Sequence, residues 1–476
     1  MTKSKLGFWG ACPALAVIAT LAIPSTAEAH VKWFSDYDFA DPPLDFSEVL
    51  TPAFWWLAVL SMAVIAITVL LQPAMERLGW TQRFDRWAEQ RGHLAVAALR
   101  IGTGATLVWS WQVGTLLAPE LFVFDEWLLW LEFCVAFLLI FQRTLRWAGL
   151  GIFALYGIAA WRFGFFHMLD YLMFVGVGYF FIAHCAKREW IRNTALPAVY
   201  VTVGFCLFWL GIEKMVYPSW SQVLLAQHPV LALGLDPNFF LIAAAFVEVS
   251  LGFMIMACLQ QRLLALTITL VFFLTTLVFG RAEVVGHTLI HSVLVVFLIA
   301  GAGSATPPLQ WLPNLNCRAA TAAVGFLVLL AAIMIPYVLG AKMRYESTAS
   351  AGKATRMHAM TMEVGMAVGE EGAPELAIAV HKDPVAGWNL ELVTENFEFS
   401  PGAAGLKPVA GQGHAHLYID GRKVARLYAP WHHIASLTPG SHQINVTLNA
   451  NNHATLTVAG KRVSASATIE VARDAE

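Results

Sequence analysis

The chain has 476 residues, of which 58% are hydrophobic and 13% are charged, and its mean hydropathy is +0.61. These values lie outside the range of soluble proteins and indicate an integral membrane protein. The formal net charge is -2 and there is no long basic run, so nucleic acid is not expected as a partner.

The six cysteines lie in the N-terminal region, in apolar segments or in the short connections between them, and none follows Cys317. A disulfide framework or a thiolate metal site is therefore excluded for the C-terminal part of the chain.

The N-terminus has the pattern of a secretory signal peptide. Lys3 and Lys5 precede an apolar run, and the sequence Ala27-Glu28-Ala29 matches the small-x-small cleavage pattern. This predicts a signal peptide over residues 1–29 and a mature protein that begins at His30. The free α-amino group and the imidazole of His30 would together chelate copper, although an ordinary cleavage junction that precedes a histidine explains the same residues. Residues 30–51 are polar and acidic and are expected to lie outside the membrane.

Ten apolar segments of spanning length or nearly so follow, which predicts about ten transmembrane helices. They lie at residues 52–71, 94–114, 125–141, 147–163, 171–184, 196–215, 238–258, 263–280, 288–303 and 319–341. The first segment and the cytoplasmic loop that follows it form the region 52–91, and the last segment lies in the region 304–341.

The charges in the connections predict the orientation of these segments. Most lysines and arginines lie at residues 77–91, 143–146 and 187–192 and near Arg262 and Arg318, whereas the alternate connections carry acidic residues. The positive-inside rule then places the mature N-terminus and everything after Gly340 on the non-cytoplasmic side.

The membrane region contains two copies of one pattern. Glu132 and Glu248 each precede an arginine by 14 residues and a Phe-Gly pair by 31 and 32 residues, with no gap needed in either copy. This predicts two duplicated helical units, residues 92–194 and 195–303, and internal duplication of this kind fixes the architecture of many membrane proteins.

Several ionisable residues fall in or beside these apolar segments. A charged group inside an apolar helix is expensive, so it usually faces the bundle interior and marks a functional path. His287 and His291 share a helix face, which suits a metal-binding or proton-relaying pair. The alternative is that all of these groups lie at the membrane boundary and pair with Arg162, Lys214 or Arg281. The candidate membrane site comprises Glu132, Lys214, Glu248, Glu283, His287 and His291.

The second copy resembles the DoxX-like family of bacterial membrane proteins. The matching residues are 210–214 (Leu-Gly-Ile-Glu-Lys), 247–249 (Val-Glu-Val), Leu251-Gly252, Arg262 and Phe279-Gly280. The first copy has Trp111-Gln112 where the second has Glu213-Lys214, which makes it the structural partner of the two. The resemblance implies four-helix units in a bacterial inner membrane. In such a membrane, the positive-inside rule places the C-terminal region in the periplasm. The family includes a subunit of a thiosulfate:quinone oxidoreductase, so it also implies a membrane redox context.

After the last apolar segment the composition changes to a Met-rich linker, 342–374, and then to a β pattern, 375–476. Short alternating segments with turn signals between them predict a small all-β sandwich. The expected strands lie at residues 376–380, 388–393, 414–419, 424–428, 443–448 and 454–458, and Asp420-Gly421 predicts a two-residue hairpin turn.

Histidine is concentrated in this β region. His414 and His416 alternate along one strand and should share its polar face, where His453 or the His432-His433 corner would supply a third ligand. Imidazoles near the methionines Met357, Met360, Met362 and Met366 favour copper. The alternative is that the methionines form a flexible linker with hydrophobic filler and the histidines decorate a polar sheet.

Three functions follow from these patterns. The first is a membrane protein that binds, senses or transfers periplasmic copper. The second is the membrane subunit of a quinone-linked oxidoreductase, in which Glu248 and His287 relay protons and a partner holds the catalytic centre. The third is a structural or assembly protein. The expected partners are membrane lipid and a redox or metal-delivery protein. The sequence has no nucleotide-binding loop, nucleophile triad or haem-attachment motif, so no catalytic centre of its own is expected.

Overall fold

The structure is a computed structural model of the whole chain. It describes residues 41–121, 123, 125–227, 229–279, 287–303, 309–355, 366–369, 372–403, 408–420, 422–434, 437, 439–451, 454–458 and 461–471. The predicted signal peptide lies outside these residues, as do Met357, Met360 and Met362. The described residues form two compact units, a helical unit that ends at Ala354 and a β-rich unit that contains the C-terminal strands.

The helical unit is built from long apolar helices and short connecting ones. They are α1 (Phe46–Val49), α2 (Pro52–Glu76), α3 (Gly79–Glu89), α4 (Leu94–Val113), α5 (Glu126–Leu138), α6 (Leu145–Phe163), α7 (Phe165–Met168), α8 (Met173–His184), α9 (Glu189–Arg192), α10 (Ala195–Val216), α11 (Pro218–Gln227), α12 (Pro237–Met256), α13 (Gln261–Phe279), α14 (Thr288–Ala300) and α15 (Leu315–Thr355).

Five of the helical segments are long and apolar enough to cross a membrane. They are α2, α4, α9 with α10, α12 and the part of α15 up to Glu346. Helices α7 and α8 are bent by 64° at a short break, and they make a sixth span if the pair is counted as one. A helix lies at each of the ten predicted segments, but the count of ten spans remains a prediction.

Small residues allow the closest helix contacts in this unit. Helix α10 packs on α12 where Gly204 and Gly252 meet, and a Cβ atom added to Gly204 would lie 2.6 Å from the carbonyl oxygen of Gly252. Helix α6 packs on α8 in the same way at Gly149 and Gly178. Backbones come this close in membrane bundles because association depends on van der Waals packing and not on exclusion of water.

The last helix corrects one predicted boundary. The sequence predicted a linker from residue 342, but α15 continues to Thr355. The added residues include three alanines, two lysines and one arginine, which are strong helix formers, so the segment extends a helix that packing has already nucleated. The stretch from residue 347 contains serine and glycine, which are common in linkers, and this composition led to the prediction of a linker.

The β-rich unit contains three sheets. The strands are β1 (Met366–Val368), β2 (Glu375–Lys382), β3 (Trp388–Glu395), β4 (Glu398–Phe399), β5 (Gln412–Ile419), β6 (Arg422–Leu427), β7 (Trp431–Ile434), β8 (Gly440–Ala450), β9 (Leu456–Val458), β10 (Lys461–Arg462) and β11 (Ser464–Val471). The sheet orders are β11-β8-β5-β4 with β6 also paired to β5, β2-β3-β7, and β1-β9-β10.

One hydrophobic core joins these sheets. Leu390 and Leu392 of β3 pack in the same cluster as Leu417 of β5 and Val446 and Leu448 of β8. The core residues of β5 and β8 alternate with residues that point to the other face, so each strand has an apolar face and a face of different chemistry.

Candidate functional site

Strand β5 brings His414 and His416 together. Both side chains are buried, with 0% and 1% of their surface exposed, and their Nε2 atoms lie 3.0 Å apart. The ring centroids are 4.9 Å apart, so the Nε2 edges of the two rings face each other. The prediction that alternation would place both imidazoles on one strand face is in agreement with this geometry.

The spacing of the two nitrogens fits the coordination shell of one metal ion. Nitrogens 3.0 Å apart subtend roughly 95° at an ion about 2.05 Å from each of them. This angle lies between the values for square-planar and tetrahedral coordination, which are the geometries of copper and zinc sites. At most one proton fits between the two nitrogens, so at least one of them directs a lone pair into the gap.

The histidine pair belongs to a buried polar network on β8. Antiparallel register places Asn449 opposite His414 and Thr447 opposite His416. Thr447 donates to the Oδ1 atom of Asn449 at 2.9 Å, and the amide of Asn449 donates to the Thr455 hydroxyl at 3.1 Å. Buried amides and hydroxyls need such partners, and these fix the β8 side of the site.

Aromatic rings and one cation border the pair. The ring of Tyr428 lies 5.3 Å from that of His414, and Tyr418 lies 6.4 Å from His416. Arg426 of β6 is the register partner of His416.

The burial of the pair corrects one expectation. The sequence placed the two histidines on a polar sheet face and left open that they only decorate it, whereas both imidazoles are as buried as Leu417 of the same strand. Replacing them by alanine would therefore leave a cavity.

His433 and His432 do not join this pair in the described residues. They lie in β7, which belongs to the sheet of β2 and β3. The Nδ1 atom of His433 is 2.9 Å from the side-chain oxygen of Asn389 and 3.9 Å from Asp383. Partial burial lowers the pKa of His432 below its ordinary value, and the charge of His433 lowers it further. Strand β7 pairs with β3 and not with β5, and the third ligand predicted from this corner stays a prediction.

Three other predicted site residues lie outside the described part of the chain: His30, His453 and Glu283. His30 and His453 remain predictions as copper ligands, and Glu283 remains a prediction for the membrane site.

The predicted membrane site is divided in the structure. Lys214 of α10 donates to both carboxylate oxygens of Glu248 on α12, at 2.8 and 2.7 Å. The pair is only partly buried, with side chains 16% and 28% exposed. Lys214 was expected as a boundary partner, and a direct ion pair of this kind lowers the free energy of placing Glu248 in an apolar helix.

Glu132 has a different role from Glu248. It is fully buried on α5, and its Oε1 atom accepts a hydrogen bond from the backbone N–H of Leu117 at 2.8 Å. Leu117 has a left-handed backbone with φ of +66°, which is unfavourable for a branched side chain. Glu132 therefore holds a strained loop in place, whereas Glu248, its predicted counterpart, pairs with the ammonium group of Lys214.

His287 and His291 lie at the start of α14 and contact aromatic rings of α13. The ring of His287 stacks on Phe272 at 4.6 Å, and the ring of His291 meets the same phenylalanine edge to face at 5.6 Å. The expectation that both histidines share one helix face agrees with their common contact.

A third arrangement in the helical unit is not evident from the sequence. Glu120, His167 and Asp170 place one ligand atom each within 4.8 Å of one another. Each of the three is an ordinary polar residue at or near the end of an apolar segment, and the sequence pattern does not link them. All three residues lie in or beside connections at the same end of the helical bundle. The order of the chain alone does not show that these connections come together.

Comparison with known proteins gives no match: no protein-family model, no curated protein sequence and no solved structure is similar enough to assign the chain. The resemblance to DoxX-like proteins therefore rests on the residues alone.

Proposed function

We propose that this is an integral membrane protein that handles copper through its β-rich unit, with His414 and His416 as the core ligands. The observation that carries the proposal is the approach of two buried Nε2 atoms to 3.0 Å on one strand face. Handling here means binding the ion for sensing, sequestration or transfer to the helical unit.

The donor atoms favour copper among the first-row metals. Imidazole suits copper and zinc, and at a given nitrogen site divalent affinity is highest for copper. The β-rich unit offers no cysteine, since none follows Cys317, so a thiolate site is excluded there. His453 is the proposed third ligand because it follows β8, whose Asn449 lies opposite His414.

The proposed setting is a bacterial inner membrane, with about ten spans, two DoxX-like units, a cleaved signal peptide and a periplasmic C-terminal region. Two contacts support the duplication. Gly104 of α4 faces Ala136 of α5, and Gly204 of α10 faces Gly252 of α12. The alignment that pairs Glu132 with Glu248 also pairs Ala136 with Gly252. In addition, α4 packs on α14 and α10 packs on α8, so the first helix of each proposed unit contacts the last helix of the other.

Copper titration of the intact, detergent-solubilised protein tests the proposal. We expect one copper ion per chain and an increase in Kd of about tenfold or more for His414→Gln and for His416→Gln. Glutamine is chosen because it keeps a polar side chain in the buried space, where alanine would leave a cavity. His381→Gln is the matched control, because His381 is exposed and contacts Glu391 at 3.3 Å.

The proposal fails if the protein binds no copper at near-stoichiometric concentration, or if both glutamine variants bind it as tightly as the unchanged protein. In that case the two imidazoles form a hydrogen-bonded pair that stabilises the sheet, and the quinone-linked subunit becomes the leading function. Quinone-dependent electron transfer in membranes would then be measured directly.

A further inference from the structure

Three ionisable side chains meet in the helical unit, whereas the proposed copper site belongs to the β-rich unit. Glu120 lies in the connection between α4 and α5, His167 in α7, and Asp170 in the 3-10 turn that follows α7. The Nε2 atom of His167 is 3.0 Å from the Oε1 atom of Glu120, and its Nδ1 atom is 3.8 Å from Asp170. Their side chains are only 8%, 7% and 4% exposed.

We infer that Glu120, His167 and Asp170 form a binding site for a divalent cation of the zinc or manganese class, distinct from the copper site. Ligands around such an ion lie about 3.0–3.4 Å apart when each is about 2.1 Å from the metal. One ligand pair already has this separation, and the three donor atoms are all within 4.8 Å of one another. Side-chain movements on the order of 1–2 Å would bring all three donor atoms to this spacing.

The charges around the cluster favour a cation. Glu213 is also buried, at 8% exposed, and lines the same small pocket as His167, Asp170 and Arg344. Three carboxylates and one guanidinium are thus gathered around one imidazole, and buried carboxylates are stabilised by nearby positive charge. A divalent ion supplies two positive charges at the centre of the group.

The surroundings of the ligands have the features of a supported metal site. The hydroxyl of Tyr171 donates to Glu120 at 2.6 Å, which orients that carboxylate. The hydroxyl of Tyr337 donates to Glu213 at 3.2 Å on the other side of the pocket. Hydrogen bonds of this kind to metal-binding residues typically change affinity 10–100-fold.

Glu132 gives the loop of Glu120 its position. Its bond to the backbone of Leu117 fixes the strained turn three residues before Glu120. Glu132 is therefore a positioning residue for this site. Gln at this position keeps the acceptor oxygen, whereas leucine removes it.

The ligand set favours a harder ion than copper(I). Two carboxylates and one imidazole are oxygen-rich, and carboxylate oxygen suits manganese while a mixed nitrogen and oxygen set suits zinc. None of the three ligands is a soft sulfur donor, which is the type that selects copper(I).

Zinc and manganese binding should be measured in the intact protein carrying His414→Gln and His416→Gln, so that the β-rich unit contributes no imidazole pair. We expect one Zn²⁺ or Mn²⁺ per chain by element analysis and calorimetry. His167→Ala, Glu120→Gln and Asp170→Asn should each raise the Kd at least tenfold, and Tyr171→Phe should raise it by roughly 10–100-fold while the fold stays intact.

Glu126→Gln is the matched control, because Glu126 is an exposed carboxylate at the start of α5 and should leave the Kd unchanged. The Glu132 pair adds an independent comparison, in which Glu132→Gln binds the ion and Glu132→Leu binds it more weakly. The inference is overturned if neither ion binds at near-stoichiometric concentration, or if His167→Ala and Tyr171→Phe both bind as tightly as their parent. Failure of copper binding to the β-rich unit would leave these results unaffected.

Discussion

The described histidines of the β-rich unit differ in the partners of their rings. His381, His433 and His442 contact side chains of the acidic or amide type. His414 and His416 contact each other in the interior. The close approach of two imidazole nitrogens therefore sets His414 and His416 apart as the candidate metal ligands.

Copper affinity should fall as the pH is lowered. A protonated nitrogen cannot bind copper, so protons compete with the ion for each imidazole ligand. Once the pH is low enough for protons to compete, each imidazole ligand should contribute up to about a tenfold loss of affinity per pH unit between pH 7.5 and pH 5.5. Competition titration against a chelator of known pH dependence measures this, and an apparent Kd that is constant over the range contradicts imidazole ligation.

Asp420 should make a pH-dependent contribution to the stability of the β5–β6 hairpin. The backbone N–H of Gln443 donates to its carboxylate at 2.9 Å and the His442 ring donates at 2.6 Å, and these bonds lower the pKa of Asp420. A depressed pKa gives stability that is present above the unfolded value of about 3.9 and is lost as the pH falls through the folded value.

The protection of β5 and β8 against hydrogen exchange, corrected for the intrinsic pH dependence of amide exchange, should therefore fall below about pH 4 in the unchanged protein. The fall should be smaller in Asp420→Asn, because asparagine does not titrate. Identical acid profiles for the two proteins would show that this carboxylate is not responsible.

Sequence reasoning at the residue scale found the alternation of His414 and His416 because a strand period of two is visible in any single sequence. It did not find their burial, which depends on how β8 and its polar side chains pack against β5. It also missed the cluster of Glu120, His167 and Asp170, since each residue alone has an ordinary explanation as a charge at a membrane boundary.

At the scale of elements, the helices were the most predictable part of the chain. Long apolar runs indicate helices, because lipid offers no hydrogen-bond partners and the backbone groups must bond to one another within the segment. Strand β11 was missed because residues 464–467 alternate serine with alanine, which gives little of the β-branched or aromatic signal of a strand. It forms because it pairs along its whole length with β8, a contact that only tertiary structure supplies.

Helix packing at Gly204 provides a test at this scale. A Cβ atom there would lie 2.6 Å from both the Gly252 oxygen and the Cγ atom of Met256, so α10 and α12 would have to separate. Gly204→Ala should lower the free energy of unfolding by roughly 1–3 kcal/mol, as overpacking does elsewhere.

The matched control is Gly157→Ala on α6, where the added methyl group meets no atom within 4 Å. This change should be neutral or stabilising by about 0.5–1 kcal/mol, because alanine is the better helix former. Denaturant unfolding of both variants in detergent measures the difference. Equal stabilities would mean that the α10–α12 contact is not as close as the structure places it.

At the scale of the whole molecule, the structure supports membrane association through five to six helices that are long and apolar enough to span. Exposed tryptophans such as Trp56, Trp161 and Trp311 occur on the helical unit, which suits contact with lipid and its interfaces. The orientation is a prediction from the positive charges in the connections, and it decides which compartment the β-rich unit meets.

Reporter fusions test that orientation. Reporters that are active only outside the cytoplasm should work when fused after Gly340 and fail when fused near Arg86 or Arg188, because lysine- and arginine-rich connections are retained in the cytoplasm. The opposite pattern would place the β-rich unit in the cytoplasm and would remove any role for His30 at the same site.

The central claim is that His414 and His416 bind copper, and X-ray absorption spectroscopy at the copper edge observes the ligands of the ion directly. The intact protein loaded with one equivalent of copper should show at least two imidazole nitrogens in the first shell, with the outer-shell scattering that imidazole rings produce. The same spectrum should lose this imidazole scattering in the variant that carries both His414→Gln and His416→Gln. A first shell without imidazole, or a spectrum that is the same in both proteins, would contradict the account.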